Sequence, residues 1–300
     1  MSAAVHDHAR SQAGRGTHER STMTLTRPSP WLATGILAWR EILRFFRQRN
    51  RVVGAIGQPI LFWLLFGAGL NRSFRLGTDQ LPGTSFQEYY LPGSLLLILL
   101  FTAIFATISI IEDRREGLLQ AVLIAPCPRW SMVLGKVLGG TFIAMFQGLI
   151  FLALALLLQQ IVISLAALAG LVLLMFVASV ALTSLGVVIA WRMESTQGFH
   201  AIMSLVLLPM WLLSGAFFPV PLLDAKSSFG EIGLQWVMRL NPLTYAVAAA
   251  RHLISAEVPW AQLCWTPAPA TCWAVTGCFA VITFVAAWWL AGQRTRGDAI

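Results

Sequence analysis

EDRREGLLQAVLIAPCPRWSMVLGKVLGG, residues 112 to 140, is the most polar run inside a long apolar stretch of the chain. On one side stands YLPGSLLLILLFTAIFATISII (Tyr90 to Ile111), and beyond Val137 another apolar run continues to Leu158. Each flank has about 20 residues or more, enough at about 1.5 Å per residue to cross a hydrocarbon core of roughly 30 Å. A charged segment between two such runs is a connection held at a membrane face. Five charges (Glu112, Asp113, Arg114, Arg115, Glu116) precede Leu118, Leu119, Val122 and Leu123, which fall on one helical face. Pro126 and Pro128 stop that helix. The expectation is a short amphipathic helix along the membrane surface, with an apolar stripe for a partner or for lipid.

Composition extends this reading to the whole chain. Hydrophobic residues make up 57% of the 300, charged residues 11%, and the mean hydropathy is +0.71. A soluble domain has about 45–50% apolar and about 25% charged residues. The fold class is therefore an all-α polytopic membrane protein. Six transmembrane helices are expected at about 52–70, 90–111, 135–158, 163–190, 199–219 and 271–292, forming one transmembrane domain over 52–292. Ahead of them, residues 1–30 have no apolar core and read as a disordered cytoplasmic tail rather than a signal peptide, and Met23 is an alternative start to Met1. His6, His8 and His18 in that tail could hold a metal, but disorder accounts for them better. Residues 31–51 form an amphipathic interface helix: Ile36, Leu37, Trp39, Ile42, Leu43, Phe45 and Phe46 supply apolar area, and Arg40, Arg44, Arg47, Arg49 and Arg51 supply charge. Residues 293–300 are a second cytoplasmic tail.

Charge fixes the expected orientation. With both termini inside, 16 of the 21 Lys and Arg residues lie on the inner side, nine of them before residue 52. That is the positive-inside pattern, and it explains the net charge of +8 as topology and lipid attraction rather than nucleic-acid binding. The outer segment Val220 to Ala270 holds two short half-apolar stretches around Asn241-Pro242, read as two short helices. Four cysteines (Cys127, Cys264, Cys272, Cys278) show no metal spacing; Cys264 and Cys272 could bridge, though four free thiols is the simpler reading. Gly135 and Gly139 form a GxxxG at the start of the third span, suited to close helix contact.

Several functions are excluded by missing chemistry. A Walker A loop needs Gly-Lys before Ser or Thr. Lys136 is followed by Val137, and Lys226 is preceded by Ala225. No HExxH occurs, the first four span cores carry no ionisable residue, and only His200 approaches one in the fifth. A proton-driven carrier lacks its carboxylate. An intramembrane enzyme lacks a base beside Ser164, Ser179, Ser184 or Ser204. The chain is expected to be non-catalytic, with neither metal nor cofactor bound directly.

Glu112, Arg115, Glu116, Gly117, Leu119, Ala125, Pro126, Arg129, Gly135 and Lys136 together resemble the second cytoplasmic segment of ABC-2 type permeases, the membrane subunits of ABC exporters of the drug-resistance and nodulation-factor branch. QPILFWLLFG at 58–67 is similar to that family's first span, LLSGAFFPV (Leu212 to Val220) to its fifth, and NPLTYAVAAAR (Asn241 to Arg251) to its approach to the sixth. The resemblance implies a cytoplasmic coupling helix between spans 2 and 3. Glu112, Arg114, Arg115, Glu116, Gly117, Leu119, Pro126, Arg129, Gly135 and Lys136 would form the ATPase-coupling contact, and the interface helix with Arg40, Arg44 and Arg47 would help receive the ATPase. It implies a bacterial inner-membrane location, outward transport of an amphipathic or hydrophobic substrate (drug-like compound, lipid or lipid-linked glycan), and ATP and Mg held on a separate ABC ATPase. Pairing into a homodimer, or a heterodimer with a related permease, would complete the pathway. A non-transporting membrane scaffold of the same fold is the alternative.

Overall fold

The computed structural model describes residues 29–48, 86–119, 122, 127–158, 163–223, 227–255, 258 and 260–293, with isolated positions at 53, 57, 60, 61 and 63–65. The described residues form helices and no strands. Most of the expected first span, residues 1–28 of the expected tail with its histidines, and Pro126 lie outside them.

Each helix has a local reason for its ends. Helix α1 (Pro30–Arg47) starts on a proline whose fixed φ suits a first turn, and closes with Arg44 and Arg47 near its negative end. Helix α2 (Phe86–Ala106) runs into α3 (Ile108–Arg115) across Thr107, whose hydroxyl donates to the Ile104 carbonyl at 2.6 Å. Helix α4 (Arg129–Leu157) begins directly after extended Pro128. Ser164 caps α5 (Leu165–Arg192) by accepting from the Ala167 N–H, and Ser195 does the same for α6 (Thr196–Ile202) through Gly198. The helix then continues through a π-helical turn (Met203–Leu207), α7 (Leu208–Trp211) and a second π-helical turn (Leu212–Ala216), where Gly215 takes φ +77°. A capping box of Ser228 and Glu231 starts α8 (Phe229–Leu240), and Asn241 caps α9 (Pro242–Ile254). A single turn, α10 (Trp260–Leu263), precedes α11 (Pro269–Gly292).

Five of these helical stretches are long and apolar enough to cross a membrane: Glu88–Arg115, Arg129–Leu157, Leu165–Arg192, Thr196–Ala216 and Pro269–Gly292. The first is the centre of the bundle: 83% of its apolar window is buried, against 33% for the last. It packs on α4 and α5, and α5 packs on α11. Gly148 lets α4 sit against Leu99 of α2 and Met175 of α5, both about 2.7 Å from where a Cβ would stand. Inside the bundle the Thr102 hydroxyl donates to the Gln147 side-chain carbonyl.

Helix α9 lies in the segment expected outside. It is buried along most of its length and packs on α5, α11 and the second π-helical turn, so it enters the bundle. Its neighbour α8 instead exposes Phe229, Trp236, Val237 and Leu240. All four cysteines are free thiols.

Candidate functional site

Two of the sequence boundaries move, and the site moves with them. The charged run does not open a surface helix. Glu112 to Arg115 close α3, the last turn of the second span. Glu116 is the residue that caps α3, its N–H donating to the Glu112 carbonyl at 3.0 Å, and Gly117 follows at φ +74°, a conformation that costs only glycine nothing. Glu116 thus stands at the negative end of α3, where the helix dipole disfavours a carboxylate. At the far side, the third span starts at Arg129 rather than 135. Lys136 is carried two turns into that helix and is 7% exposed.

A buried lysine needs partners, and two carboxylates meet it. Lys136 Nζ donates to Glu41 Oε1 at 2.6 Å, to Asp113 Oδ2, and to the Ser109 hydroxyl at 3.3 Å. Asp113 also accepts from Arg40 and from Arg44 Nη1 at 2.6 Å. Arg44 reaches Glu112 at 3.1 Å and Glu116 at 3.5 Å. Burial works against the charged form of Arg44, but Asp113, Glu112 and Glu41 outweigh it and leave its pKa above the ordinary value. The cluster joins α1, α3 and α4, three segments far apart in sequence. Its worth is asymmetric: a buried ion pair adds little net stability, but removing one partner costs about 3–5 kcal/mol.

Small residues let the backbones come close enough for this. A Cβ on Gly135 would lie 2.9 Å from Leu37 Cβ, and one on Gly139 would lie 2.8 Å from Glu41 Cβ. The expected GxxxG is therefore the bed on which α1 rests. Thr34 and Ser131 hydroxyls bond at 2.8 Å, Trp31 meets Trp130 edge-on at 5.3 Å, and Phe46 meets Phe146 at 5.3 Å. This register runs α1 alongside the first half of α4 in the same direction. Arg40 and Arg44 of the expected interface helix turn inward to Asp113, and Trp31, Leu32, Ile36, Trp39, Leu43 and Phe46 face outward. Buried Asp113 requires cations, and both arginines donate to it.

Two further arginines close helix ends. Arg114 donates to the carbonyls of Trp191 (2.7 Å) and Met193 (3.1 Å) beyond α5, and its guanidinium lies 5.8 Å from the Trp191 ring centroid. Arg129 donates to Ala291 (2.9 Å) and Gly292 (2.7 Å) at the end of α11. Cations on the free carbonyls of a helix C-terminus suit the dipole.

The expected coupling set therefore divides. Glu112, Arg114, Arg129, Gly135 and Lys136, with Arg40 and Arg44, are engaged inside the chain. Leu119 is 3% exposed and belongs to the core, which corrects its expected place on a stripe offered to a partner. Val122 packs beside that core. Arg47, Arg115 and Glu116 face outward, as does Leu118. Asp113 and Glu41 were not among the expected site residues, yet they are the anions on which the cluster turns. Glu41 had a signal: it is the single acid between residues 30 and 51, amid five arginines.

A bundle of membrane-length helices, tied at one end by buried charge and arginine-capped helix termini, defines a multi-pass membrane protein with a stiffened face. Residues 33–254 match the profile of the ABC-2 type transporter family, and the chain belongs to that family. Such proteins are membrane transport permeases that work with an ABC ATPase subunit. The chain is 24% identical over 225 residues to the inner membrane transport permease YadH of Escherichia coli, covering 74% of this chain and 82% of that one. It is 25% identical over 251 residues to Nodulation protein J of Rhizobium leguminosarum bv. viciae, covering 78% and 85%. With the transport permease ycf38 of Cyanophora paradoxa it shares 23% over 222 residues, covering 73% of each.

Proposed function

We propose that the chain is the membrane subunit of an ATP-driven exporter, powered by a separate ATPase that docks at the face holding the charge cluster. The observation that carries this is the joining of α1, α3 and α4 by Lys136, Asp113, Glu41, Arg40 and Arg44, beside an outward-facing Arg115, Glu116 and Leu118. A push on those three outward residues would move two spans and α1 together as one body. Six spans complete the topology, with both termini in the cytoplasm of a bacterial cell. Two copies, or one copy and a related permease, form the pathway. ATP and Mg stay on the ATPase, and this chain is not itself an enzyme. The cargo is amphipathic or hydrophobic, moved outward, because among the described residues the middle of each membrane-length helix carries no Asp, Glu, Lys or Arg.

The test is co-expression of the chain with its ATPase, followed by pull-down, substrate-stimulated ATP hydrolysis and efflux in vesicles. Co-purification with stimulated hydrolysis supports the reading. Co-purification without stimulation by any amphiphile, and no efflux, identifies a scaffold instead. Cysteine probes sharpen the topology: Gly117→Cys should be silent, and Ser228→Cys labelled, from outside intact cells.

A further inference from the structure

At the end of the bundle that bears the charge cluster, α5, α6 and α11 leave a groove of about 390 Å³. Its walls are apolar, with Val188, Ile189, Ile202 and Ala286 facing one another and Trp289 standing at the rim, 62% exposed. Arg192, the last residue of α5, sits at its mouth. This arginine differs from its neighbours. Arg40 and Arg44 hold carboxylates, and Arg114 and Arg129 hold helix-end carbonyls. Arg192 is exposed and has no hydrogen bond or ion pair among the described residues. The acid nearest in sequence, Glu194, is also exposed and makes no ion pair with it.

The helix ends beside the groove do not oppose an anion. The C-termini of α5 and α11 both end here, and their negative dipole ends are covered by Arg114 and Arg129. An apolar depression at the last turns of two membrane-length helices, with an unpaired cation and an amphipathic tryptophan beside it, matches the headgroup-proximal part of an acyl chain and the acidic head of a lipid.

We propose that this groove binds one anionic phospholipid, its acyl chain between α5 and α11 and its phosphate against Arg192. The lipid fills the seam between the fourth span and the last one. Binding does not depend on what the chain transports; only the assignment to the inner leaflet rests on the orientation proposed above.

The full-length chain in detergent, followed by native mass spectrometry, tests this with phosphatidylglycerol and phosphatidylcholine of equal chain length. The wild type should retain one phosphatidylglycerol in preference to phosphatidylcholine. Arg192→Ala should weaken phosphatidylglycerol binding about fivefold, as expected for one cation near a headgroup, and leave phosphatidylcholine unchanged. Filling the slot with Ala286→Trp or Ile189→Trp, whichever keeps the wild-type melting point in phosphatidylcholine, should lower retention of both lipids. Equal retention of the two lipids by the wild type, or wild-type retention of phosphatidylglycerol by Arg192→Ala or by the groove-filled variant, overturns the proposal. So does displacement of the lipid by inorganic phosphate alone, which would mark a bare anion site.

Discussion

Buried cations hold both ends of the bundle, but by different chemistry. At one end Lys136 sits between Glu41 and Asp113, with Arg40 and Arg44 completing the charge balance. Toward the other, Arg251 of α9 is 3% exposed and has no carboxylate within ion-pair distance among the described residues. It lies 4.4 Å from the centroid of Tyr89 and 5.0 Å from that of Trp260, and donates to the Gly215 carbonyl at 2.9 Å. Tyr89 donates to the same carbonyl at 2.9 Å. One joint is made of opposite full charges, and the other of ring faces and a backbone dipole. Full charges bind tightly in a dry site but leave a stranded ion when one is lost. Rings and carbonyls leave no such ion.

That contrast can be broken by substitution, the largest effect first. Lys136→Met strands Glu41 and removes one of Asp113's three cations. Thermal unfolding in detergent should show a loss of about 3–5 kcal/mol. Adding Glu41→Gln should recover part of it, and a single-variant loss below about 1 kcal/mol would mean that the cluster is not a joint. Gly139→Val forces α1 off its bed. Its expected cost is about 1–3 kcal/mol, with the added result that the Lys136→Met penalty shrinks in the double variant, because the cluster is already parted. Arg251→Met should cost about 1–2 kcal/mol, the cation–π contacts and one hydrogen bond, because no counter-ion remains behind. A loss equal to that of Lys136→Met would erase the distinction between the ends. Glu116→Ala is the smallest: its side chain is 62% exposed and its one ion pair, to Arg44, is 3.5 Å long, so stability should change by less than about 1 kcal/mol. If the outward face receives an ATPase, pull-down or efflux should fall in that variant although its melting point does not.

The helical membrane class was legible because apolar runs of bilayer length are a local property of the chain. The charged connection was legible too, since no other segment between the expected spans concentrates charge as 112–116 does. The cluster was not. Lys136 bonds Glu41 across 95 positions, and Asp113 bonds Arg40 across 73, distances at which no periodicity speaks. A six-residue error at the start of the third span was enough to place Lys136 in the first turn of that helix instead of two turns inside it. The apolar stripe misled in a similar way: Leu119 obeys the spacing of an exposed face, yet the reversal at Gly117 turns it into the core.

The two arginine caps also impose an order on biogenesis. Residues 41, 113 and 136 are all available once the third span has been made, so the charge cluster can close early. Arg129 must wait for an acceptor 163 positions further along, which at roughly 5–20 residues per second is a delay of roughly 8–30 seconds. During that interval one half of the stiffened face is latched and the other is open to water. The final helix therefore acts as the bolt, and a ribosome that stalls before it leaves a protein whose charged face has never been shut.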